Sequence, residues 1–157
     1  MTVPLIGQRY RGVEGHSGFL LRQANRAFHG AMEEALHGCG LSPPQYGVLS
    51  VLARDPGASG ADLARATSIT PQAMNGILTT LAREGLIERH PHPTHGRILQ
   101  VELTAEGARR LEAAHPRVRE LESLIEAGYG EPELAAVKSW LVTAAARLDA
   151  SARERRG

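Results

Sequence analysis

Aromatic residues make up only 4% of the chain, there is one cysteine, and no apolar run approaches the ~20 residues that a bilayer-spanning helix needs. Each shortage excludes something. With so few rings, the core has to come from Leu, Ala, Val and Ile, which suits a helical protein better than a β-sandwich. Cys39 alone cannot close an internal disulfide. The opening MTVPLIGQRYRG has no basic start followed by an apolar core, so no secretion signal is expected, and the chain reads as a soluble cytoplasmic protein without a membrane partner. No nucleophile–base pair, phosphate-cradling glycine loop or paired carboxylates stand in a plausible setting, so neither an enzyme nor a cofactor is expected. What is present suffices for a fold: 42% of the 157 residues are hydrophobic and 22% charged, enough for a packed core and too apolar for wholesale disorder.

Periodicity and end signals divide the chain. Residues 1–16, with Gly7, Gly12 and Gly15, read as a flexible arm. From Ser17, Leu20, Leu21, Ala24, Ala27, Phe28, Ala31, Met32, Ala35 and Leu36 recur at helical spacing until Gly38 and Gly40. Ser42-Pro43 starts a second helix carrying Tyr46, Leu49 and Leu52, stopped by Asp55-Pro56-Gly57. Ser59 to Asp62 resembles a capping box opening a very short helix with Leu63 and Ala64. Thr70-Pro71 opens the next, which is expected to bury Ala73, Met74, Ile77, Leu78 and Leu81 before Gly85 closes it. Two helices joined by about four residues is helix-turn-helix spacing.

The period then changes. Leu86–Arg89 and Ile98–Leu103 are strand-like around a polar tip from His90 to Arg97, a β-hairpin or wing. Thr104 caps a long helix with an apolar stripe of Leu111, Val118, Leu121, Leu124 and Ile125, which Pro116 should kink. Gly128 and Gly130 break it, and Pro132 restarts a last helix bearing Leu134, Val137, Trp140, Leu141, Ala144 and Leu148. Residues 151–157 are expected to fray.

Net charge is +1, which argues neither for nor against nucleic acid, so distribution matters. Arg65, Arg83, Arg89 and Arg97, with His90, His92 and His95, fall in one stretch whose only acids are Glu84 and Glu88. On the helix after Thr70, the outward positions are Gln72, Asn75, Gly76, Thr79 and Thr80. Gln72 and Asn75 share a face, and their amides match the edge of adenine.

The order and spacing of Leu41-Ser42-Pro43-Pro44-Gln45-Tyr46-Gly47-Val48-Leu49, Gly60-Ala61-Asp62-Leu63-Ala64, Ile69-Thr70-Pro71-Gln72-Ala73-Met74-Asn75, Leu81-Ala82-Arg83-Glu84-Gly85-Leu86-Ile87-Glu88-Arg89 and Leu103-Thr104-Ala105-Glu106-Gly107 resemble the MarR family of bacterial transcription regulators. The resemblance spans roughly residues 17–150. It implies a mainly α fold with a small β-hairpin wing: a winged helix-turn-helix over 41–103, flanked by dimerisation helices over 17–40 and 104–150. It also implies a homodimeric DNA-binding regulator, most often a repressor, that sits on a pseudo-palindromic operator in double-stranded DNA and is released by a small-molecule effector. The residues point the same way, since a small winged domain cannot cover the apolar faces of three long amphipathic helices.

Carried onto this chain, the DNA-binding positions are Thr70, Gln72, Asn75, Gly76, Thr79, Arg83, His95 and Arg97. Many relatives have arginine where Gly76 stands, and an Asp-x-Arg wing tip where this chain has His95-Gly96-Arg97. The resemblance places the effector pocket between the dimer helices and the winged lobe, where Arg22, Arg26, His29, Met32 and Tyr46 are the candidates to line it. Other readings stay open: a winged-helix scaffold that binds protein, or a regulator responding to redox state through Cys39 or to metal through His90, His92 and His95. Against metal, no cysteine or acid nearby completes the set. Against redox sensing, Cys39 has no lysine or arginine near it in sequence.

Overall fold

In a computed structural model that describes residues 3–94, 96 and 98–155, the elements follow the order read from the sequence: α1 (Ser17–His37), α2 (Pro43–Arg54), α3 (Gly60–Thr67), α4 (Pro71–Arg83), β1 (Ile87–Pro91), β2 (Leu99–Leu103), α5 (Ala105–Glu126) and α6 (Glu131–Glu154). His95 and Arg97 lie outside the described residues. Contacts divide the chain into a unit ending at Arg119 and one beginning at Glu120. No helix among the described residues is long and apolar enough to cross a membrane.

Local chemistry sets the helix ends. Ser42 and Gln45 close a reciprocal capping box at α2, as do Ser59 and Asp62 at α3. Ala73 N–H donates to Thr70 Oγ1 at 3.2 Å, and Gly107 N–H donates to Thr104 Oγ1 at 3.0 Å. At the end of α4, Gly85 takes φ +72°, and Leu86 N–H donates to Leu81 O at 2.9 Å. That left-handed turn satisfies the last carbonyls and points the chain directly into β1.

The hairpin is a two-stranded antiparallel sheet with Ile87 opposite Leu103 and Pro91 opposite Leu99. Pairing thus runs two residues past Arg89, where the sequence reading starts the polar tip. Pro91 ends the strand, so its missing N–H breaks no interior rung. Gly57 N–H donates to Val101 O and Val101 N–H to Ala58 O, both at 3.0 Å, which ties the approach to α3 to β2.

The core of the first unit gathers Leu36, Val48, Leu49, Leu52, Leu63, Met74, Leu78, Leu81, Leu86, Ile87 and Val101 from α1 to β2. Leu111, Ala114 and Val118 of α5 are also buried. Pro116, where a kink is expected, lies inside α5, with Ala114 and Val118 buried on either side of it. The residues expected as a flexible arm make defined contacts. A 3-10 turn covers Arg9–Arg11, Arg11 Nε donates to Gln23 Oε1 at 2.9 Å, and Tyr10 meets Phe19 edge-on.

In the second unit no described residue is buried. Lys138 Nζ lies 2.7 Å from Glu126 Oε1, a hydrogen bond and charge attraction that raise the lysine pKa. The last helix continues to Glu154, beyond the point where fraying is expected, with an Arg153–Asp149 pair at 2.7 Å in its final turns.

Candidate nucleic-acid interface

Burial fixes how α4 is rotated. Met74, Leu78 and Leu81 are packed inward, which turns Gln72, Asn75, Gly76 and Thr79 to solvent, with Thr80 half-buried. Ala73, expected inside, is exposed, and Ile77 is half-buried, because the inward stripe centres on Met74 and Leu78. Thr70 and Arg83 are exposed at the two ends of the helix. Thr79 Oγ1 donates to Asn75 O at 2.8 Å, so its hydroxyl is left to offer an acceptor outward.

A Cβ built on Gly76 would meet nothing within 4 Å. The fold therefore does not need glycine there, although glycine costs about 1 kcal/mol against alanine in a helix interior.

Around this helix the positive charge is partly tied up. Arg65 pairs with Asp62 on α3. Hydrogen bonds from Ser59, then the nearby Arg65 charge, hold the Asp62 carboxyl below its ordinary pKa. His90 Nε2 lies 3.3 Å from Glu88 Oε2, so an acid does stand beside one wing histidine, contrary to the expectation from sequence, and Thr94 N–H donates to His92 Nδ1 at 3.1 Å. Arg83 has no ion pair among the described residues, which leaves it open to an external anion. Arg89 is different again. Its Nε and Nη2 are buried without a hydrogen-bond partner. The sequence places Arg89 in the basic stretch and gives it no special role; only the side-chain surroundings single it out.

The five residues considered for an effector are not gathered in one place. Arg22 and Arg26 line a cavity of about 380 Å³ with Tyr10, Arg11, Phe19 and Gln23, where the Arg22 guanidinium stands 5.6 Å from the Phe19 ring centre. His29 reaches Glu33 at 3.4 Å. Met32 is buried in the core. Tyr46 meets the His115 ring edge-on at 6.1 Å. Cys39 is half-buried, its Sγ 3.8 Å from Ala113 O. Arginines do approach its neighbours, contrary to the impression from sequence: a Cβ on Gly38 would lie 3.4 Å from Arg117, and one on Gly40 would lie 3.5 Å from Arg110.

A sequence profile described as the MarR family matches residues 40–98, the segment from the loop between α1 and α2 to the residue before β2. The HTH-type transcriptional repressor Rv2887 of Mycobacterium tuberculosis is 34% identical over 116 residues, covering 74% of this chain and 84% of that protein. The chain belongs to the MarR family. A probable transcriptional regulator from Pseudomonas aeruginosa superposes with a TM-score of 0.75 at 29% identity, over 83% of this chain and 98% of that one. The repressor CouR, in a structure bound to a 23-mer DNA duplex, shares the fold with a TM-score of 0.79 at 24% identity, over 88% and 98% of the two chains. As a MarR-family chain, its α3–α4 pair is the helix-turn-helix and its β1–β2 hairpin the wing.

Proposed function

We propose that this protein is a transcription repressor that grips a pseudo-palindromic operator as a homodimer and releases it when a small molecule binds. The observation that carries the DNA reading is the rotation of α4: an apolar face locked inward presents Gln72 and Asn75 outward together. Their amides are suited to the edge of adenine in the major groove. Thr70, Thr79 and Arg83 border that face and serve the flanking phosphates. Gly76 leaves room for close approach. The wing assignments of His95 and Arg97 rest on the family pattern. The names of relatives support the repressor reading, Rv2887 being a transcriptional repressor and CouR a repressor captured on duplex DNA.

Dimerisation is supported by α6, a 24-residue helix with no buried residue. It leaves Val137, Trp140, Leu141 and Leu148 in water, with Leu124 and Ile125 of α5 equally uncovered. A second copy offering the same surface would cover them and set two recognition helices about one DNA turn apart. For the effector, the cavity beside Arg22 and Arg26 combines aromatic walls with guanidinium charge, which suits a small molecule having an apolar body and an anionic group. Such a ligand acts by favouring a spacing of the winged lobes that does not fit the operator.

Selection from a random duplex library tests the reading. The expected result is enrichment of two half-sites related by two-fold symmetry, with centres about 10 base pairs apart. No enrichment, or a single asymmetric site, overturns it.

A further inference from the structure

The end of α4 and the start of α5 touch, although the whole hairpin lies between them in sequence. α4 closes through Gly85 N–H donating to Ala82 O and Leu86 N–H donating to Leu81 O. The carbonyls of Gly85 and Leu86 are then both taken by Thr104, the residue that caps α5. Its Oγ1 donates to Gly85 O at 2.7 Å, and its N–H donates to Leu86 O at 3.1 Å. The same hydroxyl accepts from Gly107 N–H at 3.0 Å. One side chain is thus a donor to the last turn of the recognition helix and an acceptor for the first turn of α5. Ile87, the next residue, pairs with Leu103, so the base of the hairpin joins the same knot.

The contact is backbone on backbone. Gly107 is buried in the first turn of α5, and a Cβ built on it would fall 2.0 Å from Leu86 O and 3.0 Å from Leu86 C. Any other residue there has to part the two segments. Gly76 is the contrast, since a Cβ on it would meet nothing within 4 Å. With no flexible side chain between Gly107 and Leu86, no change of rotamer absorbs a shift, and a movement of α5 passes to the end of α4. Length sets the stakes. The 22 residues of α5 span about 33 Å at about 1.5 Å per residue. A tilt of about 6° at one end becomes about 3.5 Å at the other, which is one base-pair step of duplex DNA.

We infer that Thr104 and Gly107 form a rigid joint that fixes the angle between α4 and α5, and so sets the half-site spacing that the dimer accepts. Both are positioning residues, acting on DNA through α4. The inference rests on the reading of a homodimer over two half-sites and adds to it what holds their separation. A loosened joint lets each winged lobe settle on its half-site at more than one spacing. Discrimination between spacings is then lost, while the grip of one lobe on one half-site remains.

The test uses the full chain and its Gly107→Ala, Thr104→Val and Thr104→Ser variants. Affinity is measured for the duplex selected by the unmodified chain, for the same duplex with one base pair added or removed between half-sites, and for a single half-site. The unmodified chain should prefer its selected spacing by about tenfold, the scale of one mismatched base pair. Gly107→Ala should shift that preference or erase it, with binding to the single half-site unchanged. Thr104→Val, which removes both hydroxyl bonds, should erase it, and Thr104→Ser, which keeps the hydroxyl, should retain it. If Gly107→Ala does not fold, the two Thr104 variants decide. A spacing preference that survives in Thr104→Val overturns the joint. So does an equal loss on every duplex, the single half-site included, which marks the two residues as serving only the fold of the winged lobe. An unmodified chain that binds two half-sites no better than one overturns the operator reading itself, and the joint with it.

Discussion

The winged lobe and the C-terminal unit handle their apolar side chains in opposite ways. Between Leu41 and Leu103 the large hydrophobics are packed away, and only Ile98 and Leu99, each 45% exposed, stand substantially in water. From Glu120 onward no described residue is buried, and Trp140, the chain's only tryptophan, is 46% exposed. The two stretches are built from the same residue types, so hydrophobicity alone does not separate them. What separates them is closure. α2, α3, α4 and the hairpin face one another and complete a core within one chain. The end of α5 and α6 present apolar side chains, Leu124, Ile125, Val137, Trp140, Leu141 and Leu148, that stand exposed. On the dimer reading the first region does the recognising, and the second supplies the two-fold geometry that recognition uses.

The comparison can be broken most severely at α6. Replacing Trp140 and Leu141 together by glutamate should abolish the dimer in sedimentation and weaken operator binding by at least about a hundredfold, the usual gain from joining two half-sites. Leu99→Glu, at an equally exposed apolar position of the wing, should leave the dimer intact. If both changes act alike, the distinction between the regions fails.

Next in size is a cavity in the closed core. Leu81→Ala should cost about 2–5 kcal/mol in denaturant unfolding, as expected for a fully buried leucine. A loss of a few tenths would show that the winged lobe is not tightly packed. Asn75→Ala should lower affinity for the preferred duplex by about 1–3 kcal/mol while leaving random-sequence binding unchanged. Equal losses on both duplexes would move Asn75 from base reading to backbone contact.

The smallest effect concerns the cap of α3. Ser59→Ala should cost about 1 kcal/mol at neutral pH. Asp62 is held below its ordinary value of 3.8, first by the Ser59 hydroxyl. A depressed carboxylate pKa stabilises the folded state above the unfolded value, and that contribution is lost as pH falls through the folded one. The stability gap between wild type and Ser59→Ala should therefore narrow below pH 3.8 in an acid titration. A gap that stays constant there would separate the cap from the carboxylate.

The fold was legible in sequence wherever a boundary depends on a few adjacent residues. Ser42, Ser59, Thr70 and Thr104 each cap the helix that their positions announce, and Gly85 ends α4 because only glycine takes its left-handed turn easily. The outward face of α4 was legible for the same reason, since its period is local. Features that depend on distant partners were not. The approach of Arg110 and Arg117 to the glycines around Cys39, the Tyr46–His115 contact and the packing of Tyr10 on Phe19 join residues that no short pattern links. Arg89 belongs with these. As a letter it is one arginine in a basic stretch, and only its sealed, unpartnered nitrogens set it apart.

The division between a self-contained winged lobe and an open C-terminal unit is tested most directly by sedimentation of the intact chain, alone and with its selected duplex. A mass of twice 16.9 kDa without DNA, and two chains per duplex with it, is the predicted result. A folded monomer of 16.9 kDa that keeps its full helix content would contradict it.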